Sequence, residues 1–184
     1  MIQLNKIHLA VELASEAHKK QYRKGTDRPY IVHPMEVLQL LTEMQASEEI
    51  KVAGVLHDTV EDTAMTIEDI EEYFGSLVAG YVAFSTEDKS KTWFERKKRT
   101  IEKSKNTPIE IKKLKLADKL SNLRSIAYDY NRVNNLVWDR FSKSKADQKW
   151  YYQGMCEALK DLEFDDSTRE LYLEFKNLCD ELFK

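Results

Sequence analysis

The stretch Leu56-His57-Asp58-Thr59-Val60-Glu61-Asp62-Thr63 sets four ionisable side chains within six residues. It follows the apolar run Val52-Ala53-Gly54-Val55-Leu56, which indicates a buried helix. His57 and Glu61 are four residues apart, as are Asp58 and Asp62, so each pair is expected on one helix face. Burying a histidine with several carboxylates is costly unless they bind a cation or pair with bases. Because no Lys or Arg lies between Val52 and Thr66, the segment predicts a divalent-metal site.

Two further residues of metal-ligating type occur in apolar surroundings. His33 lies in Pro29-Tyr30-Ile31-Val32-His33-Pro34, and Asp118 is expected on the inward face of its helix. Taken singly, such a histidine is more often a hydrogen-bonded core residue, and such an aspartate a cap or a salt-bridge partner. A metal-binding role for His33 and Asp118 therefore depends on their occurrence together with His57 and Asp58.

The composition of the 184-residue chain indicates one helical domain. Five glycines and three prolines are few for a sheet protein, which needs many turns. Apolar residues make up 42% and charged residues 33%, a balance typical of a well-solvated helical protein. The net charge of −3 gives no global sign of nucleic-acid binding. We therefore predict a single all-α domain over residues 1–184, a compact bundle of about eight to ten helices without a sheet of consequence.

Apolar spacing close to the helical period predicts the individual helices. One face of the first helix collects apolar residues and a histidine: Leu4, Ile7, Val11, Ala14 and His18. A second helix begins near Pro34, a third covers residues 50–60, and the last two cover residues 146–162 and 168–183. His8 and His18 lie on the apolar stripe of the first helix, and we interpret both as structural residues.

Capping signals mark the start of two more helices. Thr66 with Asp69 fits a capping box, and Gly75 is placed to end that helix. Thr107 with Glu110, separated by a proline in the first turn, predicts a second box. The helix that it opens is expected to run to about residue 127.

Three polar loops are the predicted rims of a site, because functional groups concentrate on loops held by a rigid scaffold. They cover residues 23–30, 85–92 and 133–147. Basic side chains cluster near the first two loops: Lys19, Lys20, Arg23, Lys24, Arg28, Lys91, Arg96, Lys97, Lys98 and Arg99. Most of them are interpreted as solvated helix faces, but Arg23 and Lys24 adjoin the loop that leads to His33.

Four segments share their order and spacing with a known family: His18 to Lys24, Pro29 to Pro34, Leu56 to Thr63, and Leu116-Ala117-Asp118-Lys119-Leu120-Ser121-Asn122-Leu123. They resemble the hydrolase domain of RelA/SpoT homologues, and most closely the small stand-alone (p)ppGpp hydrolases of the HD superfamily. The likeness extends over roughly residues 4–128. It implies the helical fold of that superfamily.

The resemblance also implies roles for individual residues. It makes His33, His57, Asp58 and Asp118 the ligands of one divalent metal, usually Mn²⁺ in this family. It implies that Glu61 and Asp62 act on the attacking water, by accepting its proton or by orienting it. It places Arg23 and Lys24 against the nucleotide, Asn122 near the ribose and Lys97 near phosphate. Lys20 stands where the family often has glycine, and the 23–30 loop is not the usual one, so the base preference stays open.

The implied activity is manganese-dependent hydrolysis of the 3′-pyrophosphate of (p)ppGpp, which gives GDP or GTP and pyrophosphate. Two imidazoles and two carboxylates also suit Fe²⁺ or Zn²⁺. One alternative is an HD phosphohydrolase that acts on another nucleotide or on NADPH. Another is a non-catalytic helical binding module, which would have neither a tight metal nor a chelator-sensitive activity.

The remaining expectations concern the compartment and the partners. Cys156 and Cys179 form no CxxC pair and are interpreted as thiols in a reducing compartment. The chain shows no signal-peptide core, and no apolar run approaches the about 20 residues that a membrane span needs. We expect a cytoplasmic protein whose partner is a small-molecule nucleotide, with no nucleic acid and no membrane. It is a monomer or a homodimer, for which the aromatic run Trp150-Tyr151-Tyr152 offers an interface.

Overall fold

The computed structural model describes residues 5–184, and over this range the regular structure is helical. Ten α-helices and two 3₁₀ helices are found there, which confirms the predicted all-α class; the β structure is one isolated bridge, Tyr22 to Pro29. The α-helices are α1 Lys6–Ala17, α2 Val32–Glu43, α3 Glu48–Leu56, α4 Thr59–Asp62, α5 Ile67–Phe74, α6 Ser76–Ser85, α7 Trp93–Lys105, α8 Ile109–Val133, α9 Lys145–Ala158 and α10 Arg169–Leu182. Among the described helices none is both long and apolar enough to cross a membrane.

Backbone contacts divide the chain into two compact units, which meet in sequence between Glu87 and Asp88. In the first unit α3 is central, because α1, α2 and α6 all pack against it. Its residues from Val52 to Leu56 are buried, as the apolar run predicted. On α1, Ala10 and Ala14 are buried, whereas Leu4 lies outside the described residues. The helix that leads to His57 and Asp58 is thus the buried centre of this unit.

The predicted helix over residues 50–60 is wrong in one respect, because it is interrupted at His57 and Asp58. Helix α3 ends at Leu56, and the single turn of α4 begins at Thr59. The Thr59 hydroxyl donates to the Leu56 carbonyl at 2.7 Å, and the His57 ring donates to the Gly54 carbonyl at 2.8 Å. These side chains take carbonyls that the next helical turn would use, which is how such residues interrupt helices.

The second unit is built on the 25-residue helix α8, which packs against α10. Arg124 on α8 forms a two-pronged ion pair with Glu174 on α10, with both N–O distances at 2.7 Å. Helix α7 lies against α9, and a Cβ at Gly154 would come within 2.5 Å of Ile101 Cδ1. The glycine therefore permits the close approach of these two helices.

One of the two predicted capping boxes is present. Thr66 and Asp69 bond each other's backbone N–H groups, and Gly75 ends α5 with a φ of +88°. The box predicted at Thr107 is wrong: Pro108 occupies the cap position without a side-chain hydrogen bond. The Thr107 hydroxyl oxygen is buried and makes no hydrogen bond within residues 5–184, because the threonine lies one position too early to reach the first turn. Helix α8 also runs on to Val133, past the expected end near residue 127.

Candidate metal centre

Three of the four predicted metal ligands converge in the first unit. His33 lies in the first turn of α2, while His57 and Asp58 form the turn between α3 and α4. The two histidine Nε2 atoms are 3.2 Å apart, and the Asp58 Oδ2 atom is 3.1 Å from His57 Nε2 and 3.7 Å from His33 Nε2. Both histidines are buried, and the Asp58 side chain is partly exposed. The fold therefore brings together ligand types that lie 24 residues apart in sequence.

The hydrogen bonds of His57 determine which ring nitrogen faces this cluster. Its Nδ1 lies 2.8 Å from the Gly54 carbonyl oxygen, which only accepts, so Nδ1 carries the proton. In the neutral His57 ring the Nε2 atom then carries a lone pair, which is directed at Asp58 and His33. Atoms bound to one ion at about 2.1 Å stand about 3 Å apart at right angles, close to the separations found here. The donor set thus fits a divalent cation.

A tyrosine hydroxyl holds the carboxylate of Asp58. Tyr30 donates a hydrogen bond of 2.6 Å to Asp58 Oδ2. Burial, together with the neighbouring Asp58 carboxylate, raises the pKa of Tyr30 far above its ordinary value, so the phenol stays protonated. Tyr30 belongs to the motif Pro29-Tyr30-Ile31-Val32-His33-Pro34, but the sequence predicted no role for it. Its position three residues before His33 was the available signal.

The two predicted catalytic acids, Glu61 and Asp62, have different surroundings. Glu61 is half-buried, and its Oε2 accepts the backbone N–H of Glu87 at 3.0 Å. Burial raises the pKa of Glu61, and the charges of Glu87, Asp62 and Asp58 add to the rise, while the hydrogen bond from Glu87 opposes it. Asp62 is exposed. A carboxylate with a raised pKa beside a metal site has the properties of a general base.

His18 supports the segment that carries Asp62. The Gln21 side-chain nitrogen donates to the Asp62 carbonyl at 2.7 Å, so the Gln21 side-chain oxygen faces His18 Nδ1 at 2.8 Å. His18 Nδ1 is therefore the protonated nitrogen, and its Nε2 makes no hydrogen bond within the described part of the chain. The ring also stacks on Tyr30, with centroids 4.6 Å apart. His18 is buried, as its structural interpretation predicts. His8 is exposed, so its predicted place on the buried stripe of α1 is wrong.

The predicted nucleotide-binding loop is an ordered turn. The Arg23 N–H donates to the Arg28 carbonyl at 2.8 Å, and the turn passes through Gly25 at a φ of +69°. The guanidinium carbon of Arg23 lies 5.5 Å from the centroid of the Tyr30 ring. Lys24 is exposed in the same turn. Arg23 is therefore connected through Tyr30 to the carboxylate of Asp58.

The other predicted site residues belong to the second unit. Asp118 is buried on α8, where it pairs with Lys119 at 2.7 Å and accepts a hydrogen bond of 2.7 Å from the Asn122 side chain. Burial alone would lower the pKa of Lys119, but the Asp118 carboxylate holds it well above its ordinary value. The half-buried Lys97 lies with its Nζ 5.0 Å from the centroid of the Tyr151 ring. The ion pair that the sequence left as an alternative for Asp118 is present. The metal-binding role of Asp118, like the substrate contacts of Asn122 and Lys97, stays a prediction.

Comparisons with known proteins extend over both units. A family model described as an HD domain matches residues 10–141. The guanosine-3′,5′-bis(diphosphate) 3′-pyrophosphohydrolase MESH1 of Mus musculus is 34% identical over 175 residues, which cover 94% of this chain and 92% of that protein. The crystal structure of lmo0812 from Listeria monocytogenes EGD-e is similar with a TM-score of 0.75 and 39% identity, covering 86% of this chain and 98% of the other. A metazoan orthologue of SpoT, described as hydrolysing ppGpp and acting in starvation responses, has a TM-score of 0.78 and 28% identity, covering 98% and 97%.

Proposed function

Because this chain belongs to the HD domain family, whose model matches residues 10–141, we propose that it hydrolyses the 3′-pyrophosphate of (p)ppGpp with the help of a divalent metal. The products are GDP or GTP and pyrophosphate. The observation that carries the proposal is the convergence of His33, His57 and Asp58 beside a half-buried Glu61. The mouse relative, whose name gives this activity, supports the choice of substrate.

The proposed metal site consists of His33, His57 and Asp58, with Asp118 as the fourth ligand. Mn²⁺ is the proposed ion, and Fe²⁺ or Zn²⁺ suit the same nitrogen and oxygen ligands. When bound, a divalent ion supplies positive charge at a phosphoryl oxygen and makes water more acidic. The fit rests on the His57 tautomer, which directs a lone pair toward the Asp58 carboxylate.

The other predicted site residues are proposed to have the following roles. Glu61 accepts the proton of the attacking water, since its raised pKa brings it nearer to the operating pH. Asp62, on the same helical turn, orients that water. Arg23 and Lys24 contact the nucleotide, and Arg23 is suited to stacking on a base as well as to gripping phosphate. Asn122 and Lys97 are proposed to contact ribose and phosphate respectively.

The proposed setting is the cytoplasm, with a small-molecule nucleotide as the partner. Cys156 and Cys179 are free thiols, and we propose that they stay reduced in this compartment. Nothing in the proposal requires a nucleic acid or a membrane.

Product analysis with controlled metal content tests the proposed function. The metal-stripped chain is incubated with ppGpp and Mn²⁺, Fe²⁺ or Zn²⁺, and pyrophosphate and orthophosphate are measured separately. We expect pyrophosphate release that a chelator abolishes and added metal restores. Orthophosphate release, or turnover of NADPH in place of ppGpp, would reassign the chain to another HD phosphohydrolase activity. If a chelator-sensitive turnover is found with none of these substrates, the chain is a non-catalytic binding module.

A further inference from the structure

Tyr30 contacts one predicted metal ligand, Asp58, and one residue predicted to bind the nucleotide, Arg23. Its hydroxyl donates to Asp58 Oδ2 at 2.6 Å, the same oxygen that lies 3.1 Å from His57 Nε2. Its ring lies 5.5 Å from the guanidinium carbon of Arg23, and the His18 ring stacks on it at 4.6 Å. One side chain therefore connects a metal-ligand candidate with a nucleotide-contact candidate.

The Asp58 carboxylate faces the Tyr30 hydroxyl and does not cap the helix α4 that follows it. Asp58 occupies the N-cap position of α4, where an aspartate usually accepts the N–H groups of the first helical turn. Here the Asp58 side chain makes no capping hydrogen bond. It is turned instead toward Tyr30 and His57. The Tyr30 hydroxyl, 2.6 Å from Asp58 Oδ2, is therefore placed to fix the direction in which this carboxylate faces the two histidines.

The ring has a separate task, because an arginine side chain has many rotamers and loses entropy when it is fixed. An aromatic face within about 6 Å of a guanidinium attracts it. His18 stabilises the orientation of the Tyr30 ring from within the buried part of the unit, since its own position is fixed by the hydrogen bond to Gln21. The Arg23 guanidinium is therefore held in place before a nucleotide binds.

We propose that Tyr30 is a positioning residue that orients the Asp58 carboxylate through its hydroxyl and the Arg23 guanidinium through its ring. The inference rests on the proposed function, because that function assigns Asp58 to the metal and Arg23 to the nucleotide. It separates the two tasks on one side chain, so different substitutions of Tyr30 have different effects.

Binding measurements on three variants separate the hydroxyl from the ring. Tyr30→Phe removes the hydroxyl and keeps the ring, Tyr30→Leu removes both, and Tyr22→Phe is the matched control, since Tyr22 is 60% exposed. Mn²⁺ affinity of the metal-free chain is measured by calorimetry, and GDP affinity is measured without metal. Thermal unfolding checks that each variant is folded.

We expect Tyr30→Phe to weaken Mn²⁺ binding by about 10-fold, a typical loss when the partner of a metal ligand is removed, and to leave GDP affinity unchanged. Tyr30→Leu should weaken both, and Tyr22→Phe neither. The GDP effect of Tyr30→Leu should disappear in the Arg23→Gln background, because the ring acts through Arg23. A purely structural role would instead lower the unfolding temperature of Tyr30→Phe without a selective loss of metal.

The outcomes distinguish this inference from the proposed function. Wild-type Mn²⁺ affinity in Tyr30→Phe overturns the role of the hydroxyl, even if the wild-type chain hydrolyses ppGpp. An unchanged GDP affinity in a folded Tyr30→Leu overturns the role of the ring. If the variants behave as expected while the wild-type chain releases no pyrophosphate, the positioning role stands and the proposed function fails. A wild-type chain that binds no divalent ion overturns both.

Discussion

Replacing Glu61 with glutamine removes the proposed base and leaves its surroundings almost unchanged. The Gln side-chain oxygen can still accept the Glu87 N–H, which now lies 3.0 Å from Glu61 Oε2. A general base contributes about 10²- to 10⁴-fold to a rate, or about 3 to 5 kcal/mol of the barrier. We therefore expect kcat for pyrophosphate release to fall at least about 100-fold, with Mn²⁺ affinity retained.

The assay is steady-state pyrophosphate release from ppGpp at saturating Mn²⁺, with calorimetry for the metal. Asp62→Asn is the paired variant. Because Asp62 is exposed and Glu61 is half-buried with a raised pKa, we expect Glu61→Gln to have the lower kcat. A larger loss in Asp62→Asn would exchange the two roles. Near-wild-type turnover in both variants would refute the reasoning about the acids altogether.

The same substitution has a pH signature in the metal-free chain. Burial raises the pKa of Glu61 in the folded state, so folding favours its protonated form. The associated stability is fully present below the ordinary pKa of a glutamate, about 4.3, and is lost as the pH rises through the raised value. Wild-type chain should therefore lose more stability than Glu61→Gln between pH 4 and pH 7 in urea unfolding. Parallel curves for the two proteins would show that Glu61 is not desolvated.

Other substitutions test the histidines and the packing. His33→Asn should lower Mn²⁺ affinity at least about 10-fold in calorimetry, whereas the exposed His8→Asn should not, and equal effects would argue against the metal site. Arg140→Ala should destabilise the second unit by about 2 kcal/mol in urea unfolding, because the buried Asp129 loses a charge-assisted hydrogen bond of 2.6 Å. Thr66→Ala should cost about 1 kcal/mol by removing the cap of α5, and an unchanged midpoint would contradict its role.

Local patterns in the sequence were enough for the helical class and for several boundaries. The apolar run from Val52 to Leu56 is buried, and the box at Thr66 forms, because both depend on residues within about one helical turn. The box predicted at Thr107 does not form, because α8 begins one residue later than predicted and the Thr107 hydroxyl cannot reach its first turn. Local rules are reliable for the element and less so for its first residue.

The candidate metal site could not be predicted from local patterns alone. Its residue types came from the sequence, and the assignment of His33 beside His57 came from a resemblance of motifs, because spacing alone does not bring together residues 24 positions apart. The packing of helices around α3 brings the Nε2 atoms of His33 and His57 to 3.2 Å from each other. The break at His57 and Asp58 was missed, since it results from side-chain hydrogen bonds that compete with the helix.

The sequence by itself determined that the protein is helical and that an acid-rich segment follows a buried apolar run. These properties depend on periodicity and on bonds between near neighbours in the chain. Only the tertiary structure decided that the Nε2 atoms of His33 and His57 approach to 3.2 Å, and that Tyr30 holds the Asp58 carboxylate. Those features depend on distances of a few ångströms between segments that are 24 and 28 residues apart in the chain, which no pattern along the chain encodes.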